Sequence, residues 1–208
     1  MVYEEWNEFK NKCKNYGLVC EPNTLEKLAI YKNLVEKWNQ TVNLYSRKEV
    51  DHLVRRHFED SLPLAAGIRK NGDLIDVGSG GGFPGMVVAV LRKDVKATLL
   101  EPKIKKAVFL REVKRRLHLE NIEIFEERIE EFRNKPKYSD AVSRAVFSPE
   151  KWVQTGMKIL QRDGILWLML SLNQADLFTK KAEKKLFYEL DQGRKRVLLG
   201  IRKEILDE

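Results

Sequence analysis

The stretch LIDVGSGGGFPG, residues 74–85, constrains this chain more than any other. Five of its twelve residues are glycine, and they follow directly on an apolar run that ends at Val77. Glycine takes positive φ without steric cost and lets main chain approach a ligand closely. A strand that opens into such a turn therefore marks a place where a ligand lies against bare backbone. The dinucleotide fingerprint GxGxxG fails in the first register, because starting at Gly78 puts Phe83 where its last glycine belongs. Starting at Gly80 it is met by Gly80, Gly82 and Gly85, but two residues beyond the strand–turn junction where that fingerprint begins. The spacing DxGxGxG, through Asp76, Gly78, Gly80 and Gly82, fits at the junction itself. That spacing looks like a loop for S-adenosylmethionine, whose methionine and nucleoside parts carry no phosphate. Glu101 ends the next apolar run, 23 residues after Gly78. A carboxylate there can accept hydrogen bonds from ribose hydroxyls and would repel a 2′-phosphate, which disfavours NADP. Asp76 is read as a cofactor contact, with bracing of the loop as its alternative.

From residue 73 onward, strand-like and helix-like segments alternate. DLIDV, KATLLE, NIEIFEE, SDAVSRA and GILWLML read as strands, the last buried on both faces. GMVVAVLRK and KIKKAVFLREVKRRLHL read as helices, the second with Val108, Phe109, Val113 and Leu117 on one side. SPEKWVQTGMKIL should start with Ser148 as N-cap and Pro149 at the first helical position, and NQADLFTKKAEKKL should be a further helix. FYELDQGRKRVLLGIRK reads as two strands around a Gln-Gly turn. Alternation of this kind predicts an α/β fold with a mostly parallel, seven-stranded, Rossmann-like sheet. The closing antiparallel hairpin suits the class I S-adenosylmethionine-dependent methyltransferase fold better than a dehydrogenase. Residues 1–66 read as an N-terminal helical extension, part of one compact unit with the Rossmann-like domain over 67–208. In that extension TLEKLAIYKNLVEKW places Leu25, Leu28, Leu34, Val35 and Trp38 at helical spacing, and HLVRRHFEDSLPLAAGI is amphipathic but interrupted by Pro63.

The chain has 208 residues, 43% of them hydrophobic and 34% charged, enough for a core without disulfides. Its most apolar stretch, GILWLML, is far too short to span a bilayer, and the N-terminus lacks the pattern of a secretory signal. Cys13 and Cys20 form no CxxC and the three histidines do not cluster with them, so no metal site is expected. A reduced, cytoplasmic setting and no membrane partner are the expectation. A net charge of +8 points to a polyanionic partner such as nucleic acid. The basic residues are clustered: seven lie between Lys103 and Arg116, with further groups at Arg47–Lys48, Arg55–Arg56 and Arg194–Arg196. Basic residues track phosphates in RNA recognition. The residues expected to meet RNA are Arg47, Arg55, Arg56, His57, Lys105, Lys106, Arg194 and Arg196, with a solvated basic surface as the alternative.

Methyl transfer from a sulfonium needs a lone pair aimed at the methyl carbon. Pyrimidine C5 chemistry would need a cysteine nucleophile, and both cysteines lie in the N-terminal helical region. Exocyclic-amine chemistry commonly uses an Asn/Asp-Pro-Pro-aromatic stretch after strand four, where this chain reads SRAVFSP. A ring nitrogen with a free lone pair, such as guanine N7, has no proton to remove and needs only proximity and orientation. A small-molecule methyltransferase, an NAD-dependent oxidoreductase and a non-catalytic RNA-binding protein stay open at this point.

Six separated stretches, WNQTVNLYSR (38–47), RHFEDSL (56–62), DVGSGGGFPG (76–85), KKAVFL (105–110), RIEEF (128–132) and SRAV (143–146), together resemble the RsmG (GidB) family. The resemblance covers residues 38–146 in order. It implies methylation of N7 of one guanine in 16S ribosomal RNA near the decoding centre, with S-adenosyl-L-methionine as cofactor and S-adenosyl-L-homocysteine as product. The expected partner is 16S rRNA or the 30S subunit, met by a monomer. It further implies that Gly78 and Phe83 hold cofactor, that Ile129 and Glu130 flank the adenine, and that Glu101 binds ribose. Arg144 would sit beside the transferable methyl as the catalytic residue. His57, Asp60 and Ser61 would pack an N-terminal helix over the mouth of the site. Trp38 and Asn43 read as core and turn former. The chain departs from the family at Tyr45, where Thr is commoner, and at LSLN (170–173), where a Lys-Gly often stands.

Overall fold

The computed structural model describes residues 2–46, 52–132 and 137–203, so Arg47 lies outside the described residues. Helix α1 (Val2–Asn15) buries Trp6, Phe9 and Cys13, which recur at helical spacing on one side. Helix α2 (Pro22–Asn39) begins on a proline, whose missing N–H has no partner to lose at that position, and buries Leu28, Tyr31 and Val35. The expected stripe is rotated slightly. Leu25, Leu34 and Trp38 are only half-buried, while Tyr31, midway between Leu28 and Val35, is fully inside.

The next segment is more broken than its periodicity suggests. A π-helical turn (Val54–Phe58) passes into a 3₁₀ turn (Glu59–Ser61) and then helix α3 (Leu62–Gly67). Pro63 lies in the first turn of α3, where it starts that helix instead of interrupting a longer one.

Strands β1 (Asp73–Val77), β2 (Lys96–Leu100), β3 (Ile122–Phe125), β4 (Tyr138–Ser143), β5 (Leu160–Ser171), β6 (Lys184–Leu190) and β7 (Arg194–Arg202) form one sheet in the order β3-β2-β1-β4-β5-β7-β6. Neighbours pair in parallel from β3 to β5, and β7 runs antiparallel to both β5 and β6. The hairpin turn Asp191–Gly193 puts Gln192 and Gly193 at positive φ, as the Gln-Gly reading requires. Helices α4 (Gly85–Leu91) and α5 (Ile104–Arg116) pack on one face with α1 to α3; α6 (Pro149–Gly156) and α7 (Leu172–Thr179) cover the other. Along β5, Ile165, Trp167 and Met169 enter the first core, while Leu166, Leu168 and Leu170 enter the second. The period-two pleat thus explains why GILWLML is apolar throughout.

Two helix ends and one buried stripe differ most from the sequence reading. Helix α6 is capped by Ser148, whose Oγ accepts the Lys151 N–H, but it stops at Gly156, and Leu160 already belongs to β5. Helix α7 ends at Thr179, because the half-buried alternation Lys184, Leu186, Tyr188 makes the following residues strand β6. Val108 is exposed, four residues from the more exposed Ile104, so the buried stripe of α5 is Phe109, Leu110 and Val113.

Phe9 is fully buried and meets Trp6 edge-on in the core that also holds Leu74 and Trp167 of the sheet. Truncating such a side chain costs roughly 3–5 kcal/mol. We expect Phe9→Ala to lower the stability of the whole chain by that order, seen as one shifted urea transition by both far-ultraviolet circular dichroism and tryptophan fluorescence. Two separated transitions would show that α1 and α2 are an appendage.

Candidate active site

At the carboxyl ends of β1, β2 and β4 the chain leaves a cavity of about 780 Å³. Open parallel sheets place ligands there, where neighbouring connections diverge to opposite faces. Gly78, Gly80, Phe83, Glu101, Ile129, Glu130 and Arg144 all line it, so residues far apart in sequence converge as expected. Asp76 and Gly82 do not line it.

The glycine loop is held from several sides. The Gly78 and Ser79 N–H groups donate to the Leu100 carbonyl at 2.8 and 3.0 Å, tying the loop to the end of β2. Gly78, Gly80 and Gly82 have φ of +73°, +58° and +91°, values that side chains resist. A Cβ on Gly78 would strike Val146 and one on Gly82 would strike the Tyr31 hydroxyl, so both must be bare. Asp76 points under the loop, where its Oδ2 accepts the Gly85 N–H at 2.9 Å. Burial pushes its carboxyl up to about 7, against the lowering by the Gly85 hydrogen bond and Arg144. It braces the start of α4, the second of the two readings of this residue, and does not line the cavity. The Phe83–Pro84 peptide is cis.

Glu101 is 4% exposed, yet its carboxylate lines the cavity. Oε2 accepts the Gly80 N–H at 2.8 Å and Oε1 the Lys103 N–H at 2.9 Å. Each oxygen keeps a lone pair, so a carboxylate fixed by backbone can still receive hydroxyl donors. Ile129 adds an apolar wall. A glycine cradle, a fixed acceptor and an apolar wall in one cavity fit an uncharged nucleoside, which is the part of S-adenosylmethionine that such a loop must hold. Lys106 was expected on RNA but lines the same cavity near Gly80, and burial lowers its pKa.

Arg144 follows β4 directly. One guanidinium nitrogen donates to Asp60 Oδ2 at 3.1 Å and the other to His57 Nδ1 at 2.8 Å. Its carbon lies 5.6 Å from the centre of the Phe83 ring. An arginine has only donors, so His57 must accept through Nδ1 and carry its proton on Nε2. Burial, and then the charges of Arg144 and Arg56, hold the imidazole pKa down to about 3. His57 is therefore a neutral, buried brace with its ring 5.0 Å from Phe83, and not a surface contact for RNA. Asp60 also accepts the Tyr188 hydroxyl at 2.6 Å, and Arg196 approaches it at 3.8 Å. Arg56 is likewise drawn inward, its side chain 10% exposed beside Asp191 at 3.4 Å. Arg55 pairs with Glu8 at 2.9 Å on the surface, and Lys105 and Arg194 are exposed.

Lys103, the first residue of the basic cluster, lines the cavity, and four further lining residues escaped sequence reasoning: Leu44, Arg128, Phe147 and Lys151. Phe147 and Lys151 adjoin the SRAV stretch, but nothing in their spacing marks them. Tyr31 could have been found, since it falls on the same helical face as Leu28 and Val35. Its wholly buried hydroxyl donates to the Gly81 carbonyl, and its ring stacks on Phe83 at 5.4 Å. The turn former is Asn39 and not Asn43: Asn39 Oδ1 accepts the Leu44 and Tyr45 N–H groups at 2.8 and 3.1 Å. Trp38 packs on Phe109 with centroids 5.6 Å apart. Where a Lys-Gly was missed, Ser171 and Gln174 form a capping box that starts α7.

Fold and site together define a class I S-adenosylmethionine-dependent methyltransferase. The family model GidB, described as rRNA small subunit methyltransferase G, matches residues 24–198. The chain belongs to that family. It is 33% identical over 157 residues to the Ribosomal RNA small subunit methyltransferase G of Methylobacillus flagellatus, covering 76% of each chain. It is 33% identical over 205 residues to the protein of that name from Pseudomonas putida, covering 94% of each. A solved SAM dependent methyltransferase from Aquifex aeolicus superposes with a TM-score of 0.54 at 13% identity, over 72% of this chain and 92% of that one. At that identity the likeness shows the fold.

The Tyr31 hydroxyl anchors the loop from another part of the chain, so removing it should loosen the cofactor site more than the fold. A buried hydrogen bond contributes about 1 kcal/mol. We expect Tyr31→Phe to lower the melting temperature by only a few degrees and to weaken S-adenosylhomocysteine binding about fivefold by calorimetry; unchanged affinity would mean the loop holds its shape without α2. A second expectation concerns acid. Above pH 6.5 an imidazole is neutral in both the folded and unfolded chain. Between 6.5 and the depressed folded pKa of about 3, only the unfolded chain takes the proton. Stability is therefore lost on acidification through that window. Replacing His57 by Asn, which can still accept from Arg144, should remove about 1.4 kcal/mol per pH unit of that slope. Identical slopes from pH 6 to 4 for the two proteins would contradict the neutral brace.

Proposed function

We propose that the protein methylates N7 of one guanine in 16S ribosomal RNA near the decoding centre, acting as a cytoplasmic monomer on the rRNA or the 30S particle. The observation that carries this reading is the meeting of glycine loop, Glu101 and Arg144 in one cavity. Membership of the GidB family and the names of its relatives support the small-subunit RNA as substrate. S-adenosylmethionine, when bound, supplies a methyl group activated on a sulfonium. Gly78 and Gly80 give backbone for it to lie on, Glu101 accepts from the ribose, and Ile129 with the adjoining Glu130 walls the adenine.

Guanine N7 has a lone pair and no proton, so the chain has to orient the base and exclude water, not remove a proton. The described residues that line the cavity offer Glu101, Glu127 and Glu130 as acids, and Glu101 is committed to two backbone amides. Arg144 holds the methyl end. Its charge is offset by Asp60 at 3.1 Å, which eases entry of a positively charged sulfonium. Arg55, Lys105 and Arg194 supply exposed cations for the RNA backbone. Among the described residues no helix is long and apolar enough to cross a membrane.

The test uses labelled S-adenosylmethionine with naked 16S rRNA and, separately, with 30S particles, followed by strand cleavage at N7-methylguanine. We expect one guanine to be cleaved. Label that enters RNA without creating any cleavage site would reject N7. Arg144→Ala should lower kcat/KM about 100-fold, the order expected when a positioning contact is lost.

A further inference from the structure

Phe83 and Phe147 are the aromatic side chains among the described residues that line the cavity. Phe83 is 4% exposed and enclosed by the rings of Tyr31, His57 and Phe58. Phe147 is only half-buried, three residues beyond Arg144. Its ring lies parallel to that of Trp152, 5.9 Å between centroids and 8° between planes. Trp152 is fixed in turn, buried to 2% with its indole N–H donating to the Trp167 carbonyl at 3.1 Å. Over the Phe147 ring, at 5.5 Å, sits the ammonium of Lys151. The reaction as read so far uses none of these groups. Here a rigid aromatic face inside the cavity already receives a positive charge from a lysine on a flexible stem.

We propose that Phe147 is the shelf for the target guanine, which takes the place of the Lys151 ammonium over the ring. This rests on the guanine-N7 reading above. Unpaired bases bind by stacking on aromatic side chains. The chemistry adds a second reason. The N7 lone pair forms the new N–CH₃ bond while the C–S bond electrons return to sulfur, so the positive charge passes from the sulfonium to the guanine ring. The negative face of an aromatic ring attracts a cation. Phe147 would then favour the methylated base over the neutral one, and the transition state shares part of that preference. Lys151, displaced by a few ångströms, is left free to meet a neighbouring phosphate.

Phe147→Leu keeps an apolar side chain but removes the π face; Phe147→Trp keeps both. The probes are guanosine 5′-monophosphate and 7-methylguanosine 5′-monophosphate, with S-adenosylhomocysteine present, read by calorimetry. We expect the wild type to bind the methylated nucleotide about tenfold tighter, the Trp variant to keep that preference and the Leu variant to lose it. Turnover on small-subunit rRNA should fall about tenfold in Phe147→Leu, with S-adenosylhomocysteine affinity and melting temperature unchanged. Equal wild-type affinity for the two nucleotides, or wild-type turnover in the Leu variant, overturns the shelf. So does a loss of S-adenosylhomocysteine affinity in step with turnover, which would assign the ring to the cofactor wall. A wild-type enzyme that labels no guanine of small-subunit rRNA overturns the reading of the reaction itself. One that labels guanine but shows none of the Phe147 effects overturns the shelf alone.

Discussion

A glycine-rich turn has little to hold its shape, since it lacks side chains to pack. Here the shape is imposed on its backbone polar groups from outside. Leu100 at the end of the second strand and Glu101 just after it take the amides of Gly78, Ser79 and Gly80; Asp76 takes that of Gly85; Tyr31 of an N-terminal helix donates to the Gly81 carbonyl. Buried backbone groups must find partners, and each partner here is itself buried. The floor of the cavity is thus a joint product of α2, β1 and β2, and the first core, on which α2 packs, extends from Phe9 to Trp167.

The opposite wall follows a different logic. Arg144 is positioned by charge and hydrogen bonding, through His57 and Asp60 of the broken helical segment, and Asp60 is held by Tyr188 of β6. The π-helical turn over Val54–Phe58 aims Arg56 at Asp191, while His57 faces Arg144. A regular helix would present these side chains at other angles; π turns often occur where function demands such a departure.

How much of this was legible follows from how each signal is carried. The parallel sheet, the glycine loop and Glu101 were readable because they depend on local spacing and pleat alternation. The placement of Arg144 was readable only through family resemblance. Asp76, His57 and Arg56 turn inward for one shared reason. A charged or polar residue beside a functional motif looks like a contact, but burial and its partners decide its role: Gly85 for Asp76, Arg144 for His57 and Asp191 for Arg56. Phe147 and Lys151 carry no motif; their relation to Trp152 is set by the turn that leads into α6. The ends of α6 and α7 shifted because Leu160 and Leu186 satisfy both helical and strand periodicities, and sheet pairing decided between them.

The contacts of Asp60 have a consequence for how the protein is made. Its carboxylate, at one end of the chain's order, is completed by Tyr188 and Arg196 near the other, while Arg144 lies between. During synthesis Asp60 leaves the ribosome more than a hundred residues ahead of the tyrosine that fixes it. Until that hairpin has emerged, the carboxylate has an incomplete set of donors, and Arg144 is held by a brace that is itself unfixed. Asp60 gains Tyr188 and Arg196, and Arg144 its fixed brace, only with the β6–β7 hairpin that also completes the sheet.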